Sequence, residues 1–273
     1  MKQNMKAVQE LLAFIRKSPT AYQAVSTVAE MLEEAGYTRL EEGDSWNLIP
    51  GGKYYLTRNL SSVLAFALPE GAPDSFLIAA SHSDSPTFKL KDNYLSPAFG
   101  KYVRFNTERY GGMLLSTWFD RPLSVAGRVI LRQDGHFIAK SVVVDRDLCL
   151  IPNVAVHLNR DVNNGYKYNP AVDLLPLYGM ADSTQTVKKE VAEAAGVAED
   201  AVVGADLYLY DRTPGVIFGA DNAFFASPRI DNLMCAYGTL RGFLDAREVQ
   251  NAVKVYACFD NEETGSATKQ GAA

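Results

Sequence analysis

The sequence predicts an α/β fold in which a mixed sheet is interrupted by a β-rich insertion. Apolar residues at helical spacing, followed by apolar strand-like runs, occupy the chain up to Ser81. Short strand-like runs separated by turn residues dominate between about Thr87 and Phe225. A helix-like run and an apolar strand-like run return after Ser227. The predicted domains are 1–90 and 226–273, which together form the α/β domain, and 91–225, which forms the insertion.

Two amphipathic helices are predicted at the beginning of the chain. Residues 4–16 carry apolar side chains at helical spacing. Ser18 and Pro19 are typical of a capping residue followed by proline at the first helical position. The second helix is therefore predicted to run from there to about Ala35, and Gly36 is predicted to end it.

Three strand-like runs follow these helices, at Lys53–Thr57, Ser62–Leu68 and Ser75–Ser81. The third run, SFLIAAS, is apolar on both faces of the pleat. Strands of this kind are usual in sheets that are covered on both faces, so this one is predicted to be central and buried. Near the end of the sequence, Ile230–Leu244 is predicted to be a helix and 253–260 another strand.

The insertion is predicted to be all-β, with one helix near Thr184–Ala195. Turn residues such as Gln133–Gly135 separate its strands, and the polar segment 161–173 is predicted to be a loop. The last nine residues, GSATKQGAA (265–273), look like the start of a helix.

The composition is that of a globular protein, with 47% hydrophobic and 22% charged residues. Because the net charge is −5 and the basic residues are scattered, no nucleic-acid partner is indicated. No stretch approaches the roughly 20 apolar residues that span a bilayer, and the first residues lack the apolar core of a signal peptide. Cys149, Cys235 and Cys258 lie far apart in apolar runs and are predicted to be buried reduced thiols. A cytoplasmic location is predicted.

The first candidate for chemistry is His82-Ser83-Asp84, directly after the third strand-like run. Residues two apart in an extended chain face the same way. His82 could therefore present one ring nitrogen to a metal while Asp84 orients the ring, as carboxylates behind metal-bound histidines do. Strand ends are also where open α/β sheets place their sites. The alternative is a solvent-exposed turn.

Two further acidic positions follow later in the chain. Asp231 lies at the head of the predicted helix, where a carboxylate is either an N-cap or a ligand that bridges two metal ions. Glu262 and Glu263 follow the last strand, and adjacent acids repel each other unless a cation lies nearby. In an extended backbone they point apart, so one could bind a metal and the other act on a water. The alternative is a solvated acidic loop.

Together these residues form a set of one histidine and several carboxylates, which are ligands of catalytic zinc sites. Two metal ions roughly 3.5–4 Å apart polarise a carbonyl and activate a water molecule. A glutamate beside them would accept the proton of the water and pass it to the leaving amine. The set therefore indicates metal-assisted hydrolysis.

Five segments of the chain resemble the aspartyl aminopeptidase family of dinuclear zinc metallopeptidases, in the family's order and spacing. They are ASHSDSPTFKLK (80–91), WFDRPLSVAGRV (118–129), IPNVAVHLNRDVN (151–163), SPRIDNL (227–233) and FDNEETGS (259–266). The resemblance implies a metalloaminopeptidase that removes N-terminal amino acids from peptides. It also implies a mixed-sheet catalytic domain, an inserted dimerisation domain and a dimer-based homo-oligomer as large as a dodecamer.

The same resemblance implies a role for each candidate residue. His82 is implied to be a ligand of one zinc ion, Glu263 a ligand of the other, and Asp231 the carboxylate that bridges both. Glu262 is implied to be the general base, and Asp84 the supporting residue behind the metal site. Manganese and cobalt also tolerate such ligands.

His157 is implied by the resemblance to reach the active site of a neighbouring subunit and to bind substrate. Without the resemblance it would be interpreted as a strand histidine with no assigned role. The substrates for which the family is named have acidic N-terminal residues, although some members prefer neutral ones.

The sequence departs from the family pattern in two ways. Asn261 replaces a histidine of many relatives, and little change is expected because that position is not a ligand. Family members also continue well beyond residue 273, with a further carboxylate ligand, a final histidine ligand and much of the substrate pocket. Since catalytic zinc typically has three protein ligands, weak metal binding and little activity are expected of this chain alone.

Two other functions compete with the aminopeptidase interpretation. The chain could be a catalytically incompetent fragment or an oligomerising scaffold, but a decayed site has no physical reason to keep the adjacent acids Glu262 and Glu263. The chain could instead keep the metal centre and hydrolyse N-acyl amino acids. The five family segments favour peptides with a free N-terminus.

Overall fold

The computed structural model describes residues 2–247 and 249–272, with side chains from residue 5 onward. The protein is mixed α/β, which confirms the predicted fold class. Its contacts divide into two compact units. The first comprises the described residues up to Ser85 and from Pro214 onward, and the second comprises Pro86–Thr213. The predicted domain limits stay a prediction.

The helices and strands below are those of the described residues. The helices are α1 (Lys2–Lys17), α2 (Ala21–Glu34), α3 (Pro170–Asp173), α4 (Val187–Ala195) and α5 (Ile230–Asp245). The strands are β1 (Thr38–Arg39), β2 (Lys53–Arg58), β3 (Ser62–Ala67), β4 (Ser75–His82), β5 (Thr87–Ala98), β6 (Tyr102–Tyr110), β7 (Leu123–Gln133), β8 (His136–Val143), β9 (Leu177–Met180), β10 (Val202–Asp211), β11 (Val216–Phe218), β12 (Phe224–Ala226) and β13 (Ala252–Phe259).

The first unit is built on a five-stranded mixed sheet with the order β1-β2-β3-β13-β4. Strand β13 runs antiparallel to β3 and parallel to β4. The register of the parallel pair places Phe259 beside His82. The carboxyl ends of β4 and β13, which carry the predicted site residues, therefore meet at one edge of the sheet.

Helices α1, α2 and α5 bury their apolar faces against one side of this sheet. Val28 and Leu32 of α2 and Ala236 of α5 are fully buried there. Each such burial of a large side chain contributes about 1.5–3 kcal/mol. Tyr256 of β13 is also fully buried, and its hydroxyl donates a hydrogen bond to the Ala236 carbonyl at 3.1 Å. This contact fixes α5 on the strand that leads into the candidate site.

Helix α2 begins two residues later than predicted. Its N-cap is Thr20, whose backbone is extended, so Ser18 and Pro19 precede the helix. The hydroxyl of Thr20 pairs with the side chain of Gln23 in the first turn. Gly36 has φ 82° and ends this helical segment, as predicted.

The prediction for the strand SFLIAAS is wrong. Strand β4 lies at the end of the sheet order, and β13 is its only partner strand among the described residues. Phe76, Leu77 and Ile78 are 67%, 52% and 66% exposed. An apolar run shows that a strand is suited to be covered, but it does not show which polypeptide covers it.

The second unit is a six-stranded antiparallel sheet with the order β8-β7-β10-β5-β6-β9. The predicted helix near Thr184–Ala195 is confirmed as α4, which packs against β8. The Thr186 hydroxyl caps α4 by accepting the Lys189 N–H at 3.1 Å. The largest fully buried side chains of this unit are those of Phe88, Phe105, Leu123, Ile151, Leu174, Leu207 and Leu209.

Several smaller expectations need correction. The predicted loop 161–173 contains the short helix α3. Residues 265–272 form turns and bends, so the helix expected there is absent from the described part of the chain. Cys149 and Cys258 are buried as predicted, whereas Cys235 is exposed on α5. No helix of the described residues is long and apolar enough to cross a membrane.

Replacement of Leu32 by alanine tests the core of the first unit. Because Leu32 is fully buried, Leu32→Ala is expected to lower the free energy of unfolding by about 2–5 kcal/mol. The matched control Leu77→Ala lies on the exposed strand β4 and is expected to cost less than about 0.5 kcal/mol. Urea unfolding of both variants measures the difference. An equal cost at the two positions would contradict the described burial.

Candidate metal centre

His82 is the last residue of β4, and its imidazole ring is held from behind by Asp84. The ring Nδ1 lies 3.2 Å from Asp84 Oδ1 and 3.1 Å from the Asp84 carbonyl oxygen. Asp84 is 3% exposed, so little water competes for this contact. With Nδ1 donating to Asp84, Nε2 is the nitrogen left to accept a metal. The predicted pairing of these two residues is present in the structure.

Asp231 approaches the other side of the same ring. Its Oδ1 lies 3.6 Å from His82 Nε2, although the Asp231 side chain is 73% exposed. The N-cap of α5 is Arg229, which has φ 59°, so the N-cap interpretation of Asp231 is wrong. Asp231 and Asn232 themselves have non-helical backbone angles, and the peptide bond between them is cis.

Glu262 and Glu263 lie in a single 3-10 turn, Glu262–Thr264, directly after β13. The expectation that they point apart in an extended backbone is therefore wrong. Glu262 Oε2 lies 3.8 Å from His82 Nε2, and the Glu263 backbone N–H donates a hydrogen bond to Asp84 Oδ2 at 3.2 Å. Asp84 thus contacts both the histidine after β4 and the acidic turn after β13.

Buried polar residues to which the sequence analysis assigned no role fix the two strand ends. The Ser83 hydroxyl donates to the carbonyl oxygens of Ser61 at 2.7 Å and Phe259 at 3.2 Å. The Asp260 N–H donates to the Ser62 hydroxyl at 3.1 Å, and Asp260 Oδ1 accepts the Asn261 N–H at 2.7 Å. Ser83 and Asp260 are neighbours of the candidate residues in sequence, and this was the only sequence signal that could have found them. Their hydrogen bonds involve backbone groups and hold the strand ends in place.

The electrostatics of the site reflect a single histidine among several carboxylates. Burial lowers the pKa of His82, but the hydrogen bond to Asp84 and the negative charges of Asp84, Glu262 and Asp231 prevail and raise it above 6.5. Burial, together with the charges of Asp231 and Asp84, raises the pKa of Glu263 to about 7. The charges of neighbouring carboxylates contribute to both shifts, alongside burial.

The donor set suits a zinc ion. His82, Glu262 and Glu263 each offer one ligand atom, and these three atoms lie within 4.8 Å of one another. Asp231 Oδ1 adds a carboxylate oxygen close to the same nitrogen. Imidazole nitrogen and carboxylate oxygen are ligands that zinc uses in catalytic sites, and a dication would compensate the excess negative charge. The residues present therefore fit the metal.

His157 lies in the second unit, apart in sequence from this cluster. It is exposed on the 3-10 turn Val156–Leu158, so its interpretation as a strand histidine is wrong. The sequence reads as a strand there because Val154, Val156 and Leu158 alternate with other residues, yet these three side chains are all exposed.

The family model described as "Aminopeptidase I zinc metalloprotease (M18)" matches residues 14–273. Because this match covers nearly the whole chain, the protein belongs to the M18 family of zinc metallopeptidases. The resemblance drawn from the five segments is confirmed.

Two curated relatives are described as probable M18 family aminopeptidase 2. The protein of Clostridium novyi (strain NT) is 41% identical over 280 residues, and that of Clostridium acetobutylicum is 40% identical over 280 residues. In both comparisons the match covers 100% of this chain and 64% of the relative. The chain thus spans a little under two thirds of the length of these relatives.

Solved structures of the family share the fold. The structure of Chaetomium thermophilum mApe1 matches with a TM-score of 0.88 at 31% identity, over 97% of this chain and 64% of that one. The S. cerevisiae mApe1 dodecamer matches with a TM-score of 0.81 at 28% identity, over 96% of this chain and 62% of that one.

The raised pKa of Glu263 predicts how the stability of the zinc-free protein depends on pH. The unfolded chain releases this proton near pH 4.5, whereas the folded protein keeps it until about pH 7. The folded state therefore binds more protons between these values, and the stability that this carboxyl contributes falls as the pH rises through that window. Glu263→Gln is expected to remove this fall and to make the zinc-free protein more stable than wild type at pH 8.

Denaturation midpoints at pH 5 and pH 8, measured with a chelator present, test this prediction. Glu34→Gln is the control, because Glu34 is exposed at the end of α2, away from the acidic turn. The same pH dependence in the Glu263→Gln variant and in wild type would contradict the described burial of Glu263 beside other carboxylates.

Proposed function

We propose that this chain provides a zinc site of an aminopeptidase that removes the N-terminal residue of peptides. The observation that carries the proposal is the convergence of His82, Asp231, Glu262 and Glu263 at the meeting carboxyl ends of β4 and β13. Membership of a zinc metallopeptidase family supports the choice of metal and of hydrolysis.

In this proposal the site would hold two zinc ions. His82 Nε2 would bind one ion and Glu263 the other, and Asp231 would offer its carboxylate to both. Bound zinc would polarise the peptide carbonyl and make a water molecule more acidic. Manganese or cobalt would suit the same nitrogen and oxygen donors.

Glu262 is proposed as the general base. Its carboxylate is 59% exposed and lies beside His82, so it faces both the solvent and the ligand cluster. It would take a proton from the attacking water and deliver it to the nitrogen of the leaving amine. Asp84, which is buried, would keep the proton on His82 Nδ1 and the ring in place.

The substrate is proposed to be a peptide with a free N-terminus, in agreement with the names of the relatives. A preference for acidic N-terminal residues stays a prediction from the family resemblance.

The second unit is proposed to drive dimerisation, with His157 reaching the substrate of a neighbouring subunit. The dodecameric S. cerevisiae structure supports a homo-oligomer. The cytoplasmic location also stays a prediction.

The competing scaffold interpretation is less well supported. A protein that only oligomerises has no need for a histidine whose free nitrogen faces two carboxylates within 4 Å. Carboxylates gathered around one ring cost folding stability when no cation is bound, because their charges repel. The arrangement therefore favours metal binding.

Zinc affinity tests the ligand assignment. His82→Ala and Glu263→Ala are expected to weaken zinc binding at least about tenfold, because each removes a ligand. Asp84→Asn is expected to weaken it by about 10–100-fold through the orientation of the ring. Competition with a chromophoric chelator at pH 8 measures these constants. His136→Ala, an exposed histidine of the second unit, is the control, and an equal loss there would disprove the assignment.

Hydrolysis of chromogenic amino-acid anilides tests the reaction class. The zinc-loaded protein is expected to cleave anilides with a free amino group and to leave their N-acetylated forms intact. Glu262→Gln is expected to lower kcat by about 10²–10⁴-fold, since it removes the general base. Faster cleavage of the N-acetylated form would favour an N-acyl amino acid hydrolase. No cleavage by the zinc-loaded wild type would favour the catalytically incompetent fragment or the scaffold.

A further inference from the structure

An open cavity lies in the first unit, near the beginning of β13. Its volume is about 610 Å³, and its lining includes Tyr37, Lys53 and Lys254. Pockets that hold small organic ligands have volumes in this range. The candidate metal centre lies at the other end of β13, beyond Phe259. Because a strand rises about 3.3 Å per residue, Lys254 and Phe259 are about 17 Å apart, and the cavity is separate from the metal centre.

Two lysines face the cavity from one row of the sheet. Lys53 of β2 and Lys254 of β13 both pair with Ala67 of β3, one on each side. The three side chains therefore leave the same face of the sheet, with only the methyl group of Ala67 between the two lysines. Paired Cα atoms in adjacent strands are about 5 Å apart, so the Cα atoms of the lysines are separated by about 10 Å. This spacing leaves room for a compact anion between them.

Each ammonium group lies near an aromatic ring but has no acidic partner. Lys53 Nζ lies 5.9 Å from the centre of the Tyr37 ring. Lys254 Nζ lies 5.9 Å from the centre of the Phe243 ring and donates a hydrogen bond to the Ala246 carbonyl oxygen at 2.9 Å. No ion pair of the described residues includes either lysine. Both positive charges are therefore available to a ligand.

Tyr37 supplies a hydrogen-bond donor at the same place. Only 6% of this residue is exposed, and it lines the cavity. Within the described part of the chain its hydroxyl has no hydrogen-bond partner, although buried tyrosine hydroxyls usually find one. Burial raises the pKa of Tyr37 to about 12, so the hydroxyl keeps its proton at neutral pH and can donate it to an anionic oxygen.

Glu70 also lines the cavity and narrows the choice of ligand. Its carboxylate packs against Gly51, where a Cβ atom would lie 2.4 Å from Glu70 Oε1. It would repel a second acidic group nearby and accept a hydrogen bond from a hydroxyl or amino group. The cavity is also larger than a single phosphate ion needs. These features favour an organic molecule that combines an acidic group with hydroxyl or amino groups.

We propose that this cavity binds a small organic oxyanion, whose acidic oxygens lie between Lys53 and Lys254 and accept the Tyr37 hydroxyl. A phosphate ester and a carboxylate share this chemistry. The proposal does not depend on the function assigned to the metal centre. In the alternative, the lysines serve only the fold, with Lys254 capping the end of α5. That alternative explains neither Lys53 in the same row nor the unpartnered hydroxyl of Tyr37.

Isothermal titration calorimetry of the zinc-free protein tests the proposal. The probes are inorganic phosphate, glycerol 3-phosphate and succinate. At least one of them is expected to bind with one equivalent per chain and a Kd of about 1 mM or lower. Tightest binding of glycerol 3-phosphate would assign the cavity to phosphate esters, and tightest binding of succinate would assign it to carboxylates.

Variants of the lining residues locate the bound probe. Lys53→Gln and Lys254→Gln are each expected to weaken binding at least about tenfold, because each removes a charge-assisted contact. Tyr37→Phe is expected to weaken it by about three- to tenfold, through the loss of one hydrogen bond. Glu70→Gln is expected to tighten the binding of inorganic phosphate, since it removes a repelling charge. A variant that merely misfolds cannot bind more tightly.

Two controls bear on the position of the site. Lys101→Gln removes an exposed lysine of the second unit, and His82→Ala removes a residue of the metal centre. Both variants are expected to bind the probe as wild type does. An equal loss of affinity in Lys101→Gln would reduce the effect to diffuse charge attraction, and a loss in His82→Ala would move the probe to the metal centre. Either result, or no saturable binding of any probe up to about 10 mM, would overturn the proposal.

Discussion

The carboxylate of Asp84 links the two halves of the candidate site. One of its oxygens lies 3.2 Å from His82 Nδ1, and the other accepts the Glu263 N–H at the same distance. Because the residue is buried, these contacts face little competition from water, and burying a charge without partners would be costly. This one side chain therefore helps to position the histidine and the acidic turn, and it selects the ring nitrogen that stays free.

The second constraint is the excess of negative charge. Asp84, Asp231, Glu262 and Glu263 surround one imidazole, and both shifted groups hold their protons to a higher pH than usual. A bound cation would offset the repulsion among these carboxylates. The same feature thus lowers the stability of the metal-free protein and favours metal binding, so stability and function are coupled through the charge of the site.

Sequence reasoning predicted the positions of the site residues better than their local geometry. The pairing of His82 with Asp84 follows from alternation along an extended chain, which is a local property. The 3-10 turn at Glu262 is placed in part by the hydrogen bond that the Glu263 N–H donates to Asp84, a residue distant in sequence, so local pattern alone could not predict it. The family resemblance supplied the role of Asp231, whose backbone departs from helical geometry at a helix start.

The fold class was predictable because helical and strand periodicities are strong local signals. Burial was less predictable where it depends on distant parts of a polypeptide. The run SFLIAAS is apolar on both faces, yet β4 is an exposed edge, because composition does not specify what packs on a strand. The exposed turn of His157 shows the same limit, since an alternating apolar pattern resembled a strand.

The central claim is that His82 and carboxylates of the acidic turn bind zinc together. Zinc K-edge X-ray absorption of the zinc-loaded protein tests it most directly. The account predicts a first shell of nitrogen and oxygen at about 2.0–2.2 Å, with the outer scattering of one imidazole that disappears in His82→Ala. A sulfur shell at about 2.3 Å, or imidazole scattering that persists in His82→Ala, would contradict it.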